Sequence, residues 1–275
     1  MSAATSARER NIESVQSDEV EARGMQRLME AEARLERWET TLEQLPVMSG
    51  SALAGDDIAT PYEALSQQAI SSFKVALDHL RTVTLVIVKT EAMPVLASFT
   101  LIRAALEAAG QALWLMGPTS RDERVLRSLQ LSLEERRDLY AAEAEGTGSD
   151  TRLPADDKVL ARLQELQSRR VGLNGRSLNV PTITKRLKQS DEYAGDQSIS
   201  LLVAWKLASG MAHGRRSTMY HLLERQLVES TDTGFSVHMT SSIGIVEAFY
   251  SIAEQHLMKA VALFYMRNGL PMPFE

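Results

Sequence analysis

The chain has 275 residues, 44% of them hydrophobic and 24% charged, with no cysteine and a formal net charge of −6. These values fit one large globular domain, or one domain with an appendage. They exclude a disulfide scaffold, a thiolate zinc site, an iron–sulfur cluster and a cysteine nucleophile. The acidic balance argues against non-specific coating of nucleic acid and leaves a local basic patch open.

Residues 1–18 are rich in Ser, Ala, Glu and Arg, and they read as a disordered tail. They hold no apolar run of the kind a signal peptide needs, so a reduced, cytoplasmic protein is expected. From residue 19 to Leu45 an amphipathic helix is predicted. Leu28, Ala31, Leu35, Trp38, Leu42 and Leu45 recur at three- and four-residue intervals between flanks such as Arg34, Glu36 and Glu43. So short a seam packs on its own domain, or pairs two copies of the chain through residues 28–45; the first is favoured because the seam is too short to stand alone. Pro46 ends the helix. Residues 46–60, with Gly50, Gly55, Asp56 and Asp57, read as a linker.

Residues 61–275 are expected to form a helical bundle. Phe73, Leu77, Leu80, Thr84 and Ile87 keep a helical period over 61–90, although the β-branched run Val83–Val88 resembles a strand. Val95–Met116 carries only Arg103 and Glu107 as charges. At roughly 33 Å it is long enough for a bilayer, but two central charges make spanning costly, so a buried central helix without membrane contact is expected. Ser120 and Glu123 have capping-box spacing ahead of a helix over 121–145. Helices over 155–170, 182–189, Ser198–Leu227 and Ser241–Arg267 follow, the third open to interruption around Gly210–Gly214. Phe235–Met239 suits a short hairpin arm. No internal repeat and no sustained strand alternation appear, so the fold class is all-α: a helical bundle with an N-terminal amphipathic helix.

Three features could carry chemistry. On a continuous helix, His213, Arg216, Ser217, Tyr220, His221 and Glu224 would draw one polar stripe along a single face. Imidazoles transfer protons near neutrality, and a guanidinium clamps phosphate or carboxylate. The alternative is that this stripe faces water or a partner. Arg103 and Glu107, four apart on the apolar helix, form a register-fixing ion pair or line a polar pocket with Ser209 and Tyr220 opposite His213 and Arg216. Between Arg162 and Lys188 stand Arg162, Arg169, Arg170, Arg176, Lys185, Arg186 and Lys188 against Glu165 alone. That is a local charge of +6 on a remainder of −12. Such a segment suits an RNA backbone or, equally, this chain's own acidic N-terminal helix. No glycine-rich phosphate loop, nucleophile elbow or paired-histidine metal motif is found, so neither metal nor cofactor is expected.

Arg103-Ala-Ala-Leu-Glu107, then Leu113-Trp-Leu, then Ser209-Gly-Met-Ala-His213-Gly looks like a group of helical proteins common in actinobacteria. That resemblance spans most of residues 61–230 and implies no activity. Arg216-Ser-Thr-Met-Tyr-His221 resembles the Arg-x4-His signature of the HEPN superfamily, all-α proteins that include metal-independent ribonucleases of toxin–antitoxin and phage-defence systems. It implies His221 as general base on a ribose 2′-hydroxyl, with Arg216 stabilising the phosphorane, in a site formed across a dimer; His213 joins them as a catalytic candidate through the polar stripe. Ser217 stands where that signature usually has Asn, Asp or His. The expected function is a HEPN-like ribonuclease or RNA-binding protein; the alternatives are a non-catalytic interaction or scaffold protein and a small-ligand-binding bundle.

Overall fold

The computed structural model describes residues 17–43, 45–195, 199–231 and 234–272. The tail expected over 1–18 lies outside them except for its last two residues. Ten α-helices and a two-stranded sheet occur among the described residues, giving an all-α bundle.

Helix α1 (Asp18–Glu43) lays Leu28, Ala31, Leu35, Trp38 and Leu42 into the chain's own core, each at most 2% exposed. Within the chain the apolar seam is filled by α3 (Leu65–Thr84) and α10 (Ile243–Asn268). Along the polar flank Arg34 donates to Glu254 at 3.0 Å and Arg27 to Glu247 at 3.4 Å. The Glu21 carboxylate accepts the backbone N–H groups of Ile243 and Gly244, donors that the first turn of α10 leaves without helical partners.

The stretch expected as a linker contains α2 (Ala52–Ala59), whose N-cap Ser51 Oγ accepts from Ala54 N. Burial is the reason. Leu53 and Asp56 are both fully buried. Asp56 takes two hydrogen bonds from Arg124, at 2.7 and 2.9 Å, and one from Arg121 at 3.1 Å. A buried carboxylate is tolerable only with such partners. Tertiary contacts therefore hold this Gly- and Asp-rich segment helical.

Helix α3 runs on into a π-helical turn at Leu85–Lys89, so the β-branched run is helical and the helix starts four residues later than expected. Helix α4 (Ala97–Met116) occupies the centre, as its nearly uncharged sequence predicts. It packs against α3, α10, α7 (Ile183–Ala194) and α8 (Leu201–Ala212). A Cβ on Gly110 would stand 2.4 Å from Leu187 Cδ2 and 2.7 Å from Leu201 Cδ2, so this glycine permits the close approach of α7 and α8. No helix among the described residues is long and apolar enough to cross a membrane.

Arginines collect the carbonyls at the end of α4. Arg127 donates to Trp114 O, Arg267 to Met116 O at 2.9 Å, and Arg124 to Thr119 O at 2.8 Å. Burial and the neighbouring Arg124 push the Arg267 guanidinium down to about 10, with Asp56 pulling the other way. Helix α5 (Arg121–Thr147) starts at the expected Ser120 cap. With α6 (Lys158–Ser168) it forms a smaller core of Val125, Leu126, Leu129, Leu133, Leu163, Leu166 and Leu173.

The helix expected over Ser198–Leu227 is three elements. Helix α8 stops at Ala212, Gly214 turns the chain at φ +61°, and α9 (Arg216–Leu222) follows. Left-handed backbone suits glycine, which makes Gly214 the breaking point. From Glu224 the chain is strand β1 (Glu224–Thr231), antiparallel to β2 (Gly234–Thr240). Leu227 faces Val237, with an irregularity between Leu227 and Glu229. The extended tendency read at Phe235–Met239 thus draws the preceding segment into a ladder that overrides its helical pattern.

Candidate functional site

The break at Gly214 dissolves the polar stripe. His213 is the exposed C-cap of α8, while Arg216 and His221 are exposed on α9 and Glu224 belongs to a strand. Arg216 and His221, five residues apart, lie roughly 140° apart around the α9 axis. Arg216 turns to its own helix: Nη2 is 3.5 Å from the Tyr220 hydroxyl, and the guanidinium carbon is 5.4 Å from the ring centroid. Arg225 approaches the same ring at 5.7 Å.

Arg103 meets Ser209 and Trp205, and Glu107 meets Trp205. Arg103 Nε donates to Ser209 Oγ at 3.1 Å and Trp205 Nε1 donates to Glu107 Oε2 at 3.0 Å. Arg103 Nη2 lies 3.5 Å from Glu107 Oε2. The side chains of Arg103 and Glu107 are 31% and 38% exposed, so they are not the deeply buried pair the apolar helix suggested. The partners are mutual and clamp α8 to α4. Tyr220 belongs with Arg216 and Arg225.

The basic segment is largely neutralised within the chain. Arg170 bonds Asp122, Arg176 bonds Glu123 at 2.7 Å, Arg186 bonds Glu134 at 2.8 Å and Arg169 bonds Glu165 at 2.6 Å. Three of these carboxylates come from α5, not from the N-terminal helix. Arg186 is itself buried. Burial works to raise the Glu123 carboxyl, but Arg176 and Arg127 outweigh it and hold it below the usual range. Lys185 and Lys188 are exposed and have no carboxylate partner among the described residues. The charge run therefore locks α6, α7 and their connection onto α5.

A different place has the form of a binding site. A cavity of about 330 Å³ opens between α5, α6 and the turn joining α2 to α3. Leu129, Val159, Leu163 and Leu166 line it with apolar surface, Thr60 and Ser132 add hydroxyls, and Tyr62, Glu63, Lys158 and Arg162 complete it. Ser132 Oγ accepts from Gln68 Nε2 at 2.9 Å, which leaves its own hydrogen for an acceptor in the cavity. The Arg162 guanidinium carbon lies 3.9 Å from the Tyr62 ring centroid. Asp157 secures α6. Its Oδ1 accepts from Val159 N and Leu160 N, and its Oδ2 accepts from Arg136 at 2.7 Å. That Arg136 bond holds the Asp157 carboxyl below its ordinary value. Burial, with Glu63, Glu134 and Asp138 adding repulsion, pushes Glu135 up.

A second concavity of similar volume lies between α1 and α10, walled by Arg27, Arg34, Glu247 and Glu254. The Tyr250 hydroxyl is buried there without a hydrogen-bond partner among the described residues. Burial and Glu254 push it well above its ordinary value. Its charged walls already satisfy one another across the helix pair.

Of the cavity residues, only Arg162 stood out in the sequence, as part of a charge run. Tyr62, Lys158 and the leucines carry no motif, since they converge from three separate segments. Among the described residues no group of acids and histidines is placed to hold a metal ion. The chain matches no family model, no curated protein and no solved structure. Fold and site together define the class: an all-α helical bundle bearing an apolar cavity with a charged, aromatic mouth.

Proposed function

We propose that this chain is a non-catalytic bundle that binds a small, largely apolar molecule in the cavity between α5 and α6. The observation that carries this reading is the cavity itself. Its volume of about 330 Å³ falls in the range of small-molecule sites, and its lining is apolar with a few polar groups at defined points. Its leucines Leu129, Leu163 and Leu166 belong to the smaller core, where α6 packs on α5 and the 3-10 turn at Val171–Leu173. Ligand burial there removes exposed apolar lining such as Val159 from water, a gain of about 25 cal/mol per Å² of apolar area.

Two other readings lack comparable support. RNA binding through 162–188 needs free cations, and four of the seven bond carboxylates of this chain. Ribonuclease chemistry through Arg216 and His221 needs both groups on one substrate, and they diverge around a short exposed helix whose Arg216 rests on Tyr220.

The test is thermal shift and calorimetry against a panel of small apolar molecules, with Val159→Trp as the control. Val159 lies at the cavity edge and is 37% exposed, so a tryptophan there fills the cavity without replacing a core residue. Binding by the native chain that Val159→Trp removes, with its helix content unchanged, is the expected result. A panel without any binder, or binding indifferent to Val159→Trp, overturns the reading.

A further inference from the structure

Resting on that cavity as the binding site, we infer that its ligand is an apolar anion, a monocarboxylate whose hydrocarbon lies on the leucine floor and whose carboxylate meets Lys158 and Arg162. The argument starts from the helix. Lys158 and Arg162 are four residues apart on α6, so they project from one face on successive turns, and both line the cavity. Among the described residues neither has a carboxylate partner.

This distinguishes them from the arginines nearby. Arg136, Arg169, Arg170, Arg176 and Arg186 each hold an acid of this chain. In so acidic a protein, two cations left together at the mouth of an apolar cavity have charge available for an incoming anion. Arg162 is also preorganised. Stacking of its guanidinium on Tyr62 fixes the plane of the group, while its N–H edges remain open to a carboxylate in the bidentate manner. A fixed donor plane lowers the ordering that binding would otherwise require.

Glu63 is the one carboxylate lining the cavity, and its charge is felt by Glu135 on α5. The cavity therefore carries two cations against one anion. A neutral ligand would leave the cations unused, and an ammonium would face them.

Octanoate, octanol and octylamine share a chain and differ in head group, so they separate the inference from the reading beneath it. Below their aggregation concentrations, octanoate should bind the native chain about tenfold or more tighter than octanol, the effect of a hydrogen bond to a charged group. Octylamine should bind weakest. Lys158→Gln and Arg162→Gln should each weaken octanoate far more than octanol and so narrow the gap between them, a readout that general destabilisation would not give. Lys158 is exposed at the first turn of α6, so Lys158→Gln remains interpretable if Arg162→Gln disturbs folding. Equal binding of octanoate and octanol, removed by Val159→Trp, overturns the anion and keeps the cavity. Preference for octylamine overturns it in favour of Glu63, and no binding of any of the three overturns both.

Discussion

The Arg162 guanidinium carbon sits 3.9 Å from the centroid of the Tyr62 ring, joining α6 to the turn between α2 and α3 across the mouth of the cavity. Tyr62 is 58% exposed, so this contact shapes an opening and contributes little to the core. Cation–π pairs at exposed sites are worth about 0.5–1 kcal/mol. Tyr62→Ala is therefore expected to lower the unfolding free energy by no more than about 1 kcal/mol, while weakening octanoate binding several-fold through loss of Arg162 orientation. Urea titration and calorimetry on the same variant separate the two effects. A large stability loss with unchanged affinity would show that the contact serves folding alone.

Asp56 is expected to be among the most sensitive positions. It is fully buried, and it is the carboxylate partner of both Arg124 and Arg121. Removing one member of a buried ion pair typically costs about 3–5 kcal/mol, because the remaining charge is left uncompensated. Asp56→Asn should lose stability on that scale in denaturant unfolding, with loss of helix α2 visible in hydrogen exchange. A loss below about 1 kcal/mol would show that the backbone carbonyls around Arg124 suffice without the carboxylate.

Acid should loosen α6 before the main bundle. The folded Asp157 carboxyl titrates below its ordinary value of 3.8, chiefly because Arg136 bonds it. A carboxyl depressed by folding contributes its full stabilisation above that ordinary value, and the contribution is lost as pH falls through the lower folded value. Amide protection in residues 158–168 should accordingly fall below about pH 4 ahead of protection in α4. Asp157→Asn should show the same early opening at neutral pH. Simultaneous opening of α6 and α4 in both experiments would mean that the cap has no local role.

Total RNA incubated with the protein in the presence of a chelator should remain intact, and His221→Ala should behave identically. The positions of Arg216 and His221 on opposing sides of α9 lead to this expectation. Cleavage that disappears in His221→Ala would instead support the ribonuclease signature and displace the ligand-binding reading.

Several parts of the molecule were legible because their signals are local. The seam of α1 follows from spacing, the Ser120 cap from side-chain chemistry, and the central place of α4 from a run of 22 residues with two charges. That Arg103 and Glu107 lie within reach of each other follows from their four-residue spacing on one helix. Trp205, which donates to Glu107, gave no such signal, because an indole on an apolar helix reads as core.

The sequence by itself determined an all-α chain, the inward face of its first helix and the identity of its central helix. Periodicity and capping act within a few residues and survive any arrangement of the rest. Only the tertiary structure decided that a presumed linker is a helix anchored by buried Asp56, and that the residues after Glu224 are strand. It also decided that α5 supplies the carboxylates for three arginines of the basic run, and that a cavity forms where residues 60–63, 129–132 and 158–166 meet. Each of these outcomes depends on the energy of contact between groups far apart along the chain, and no local pattern records that energy.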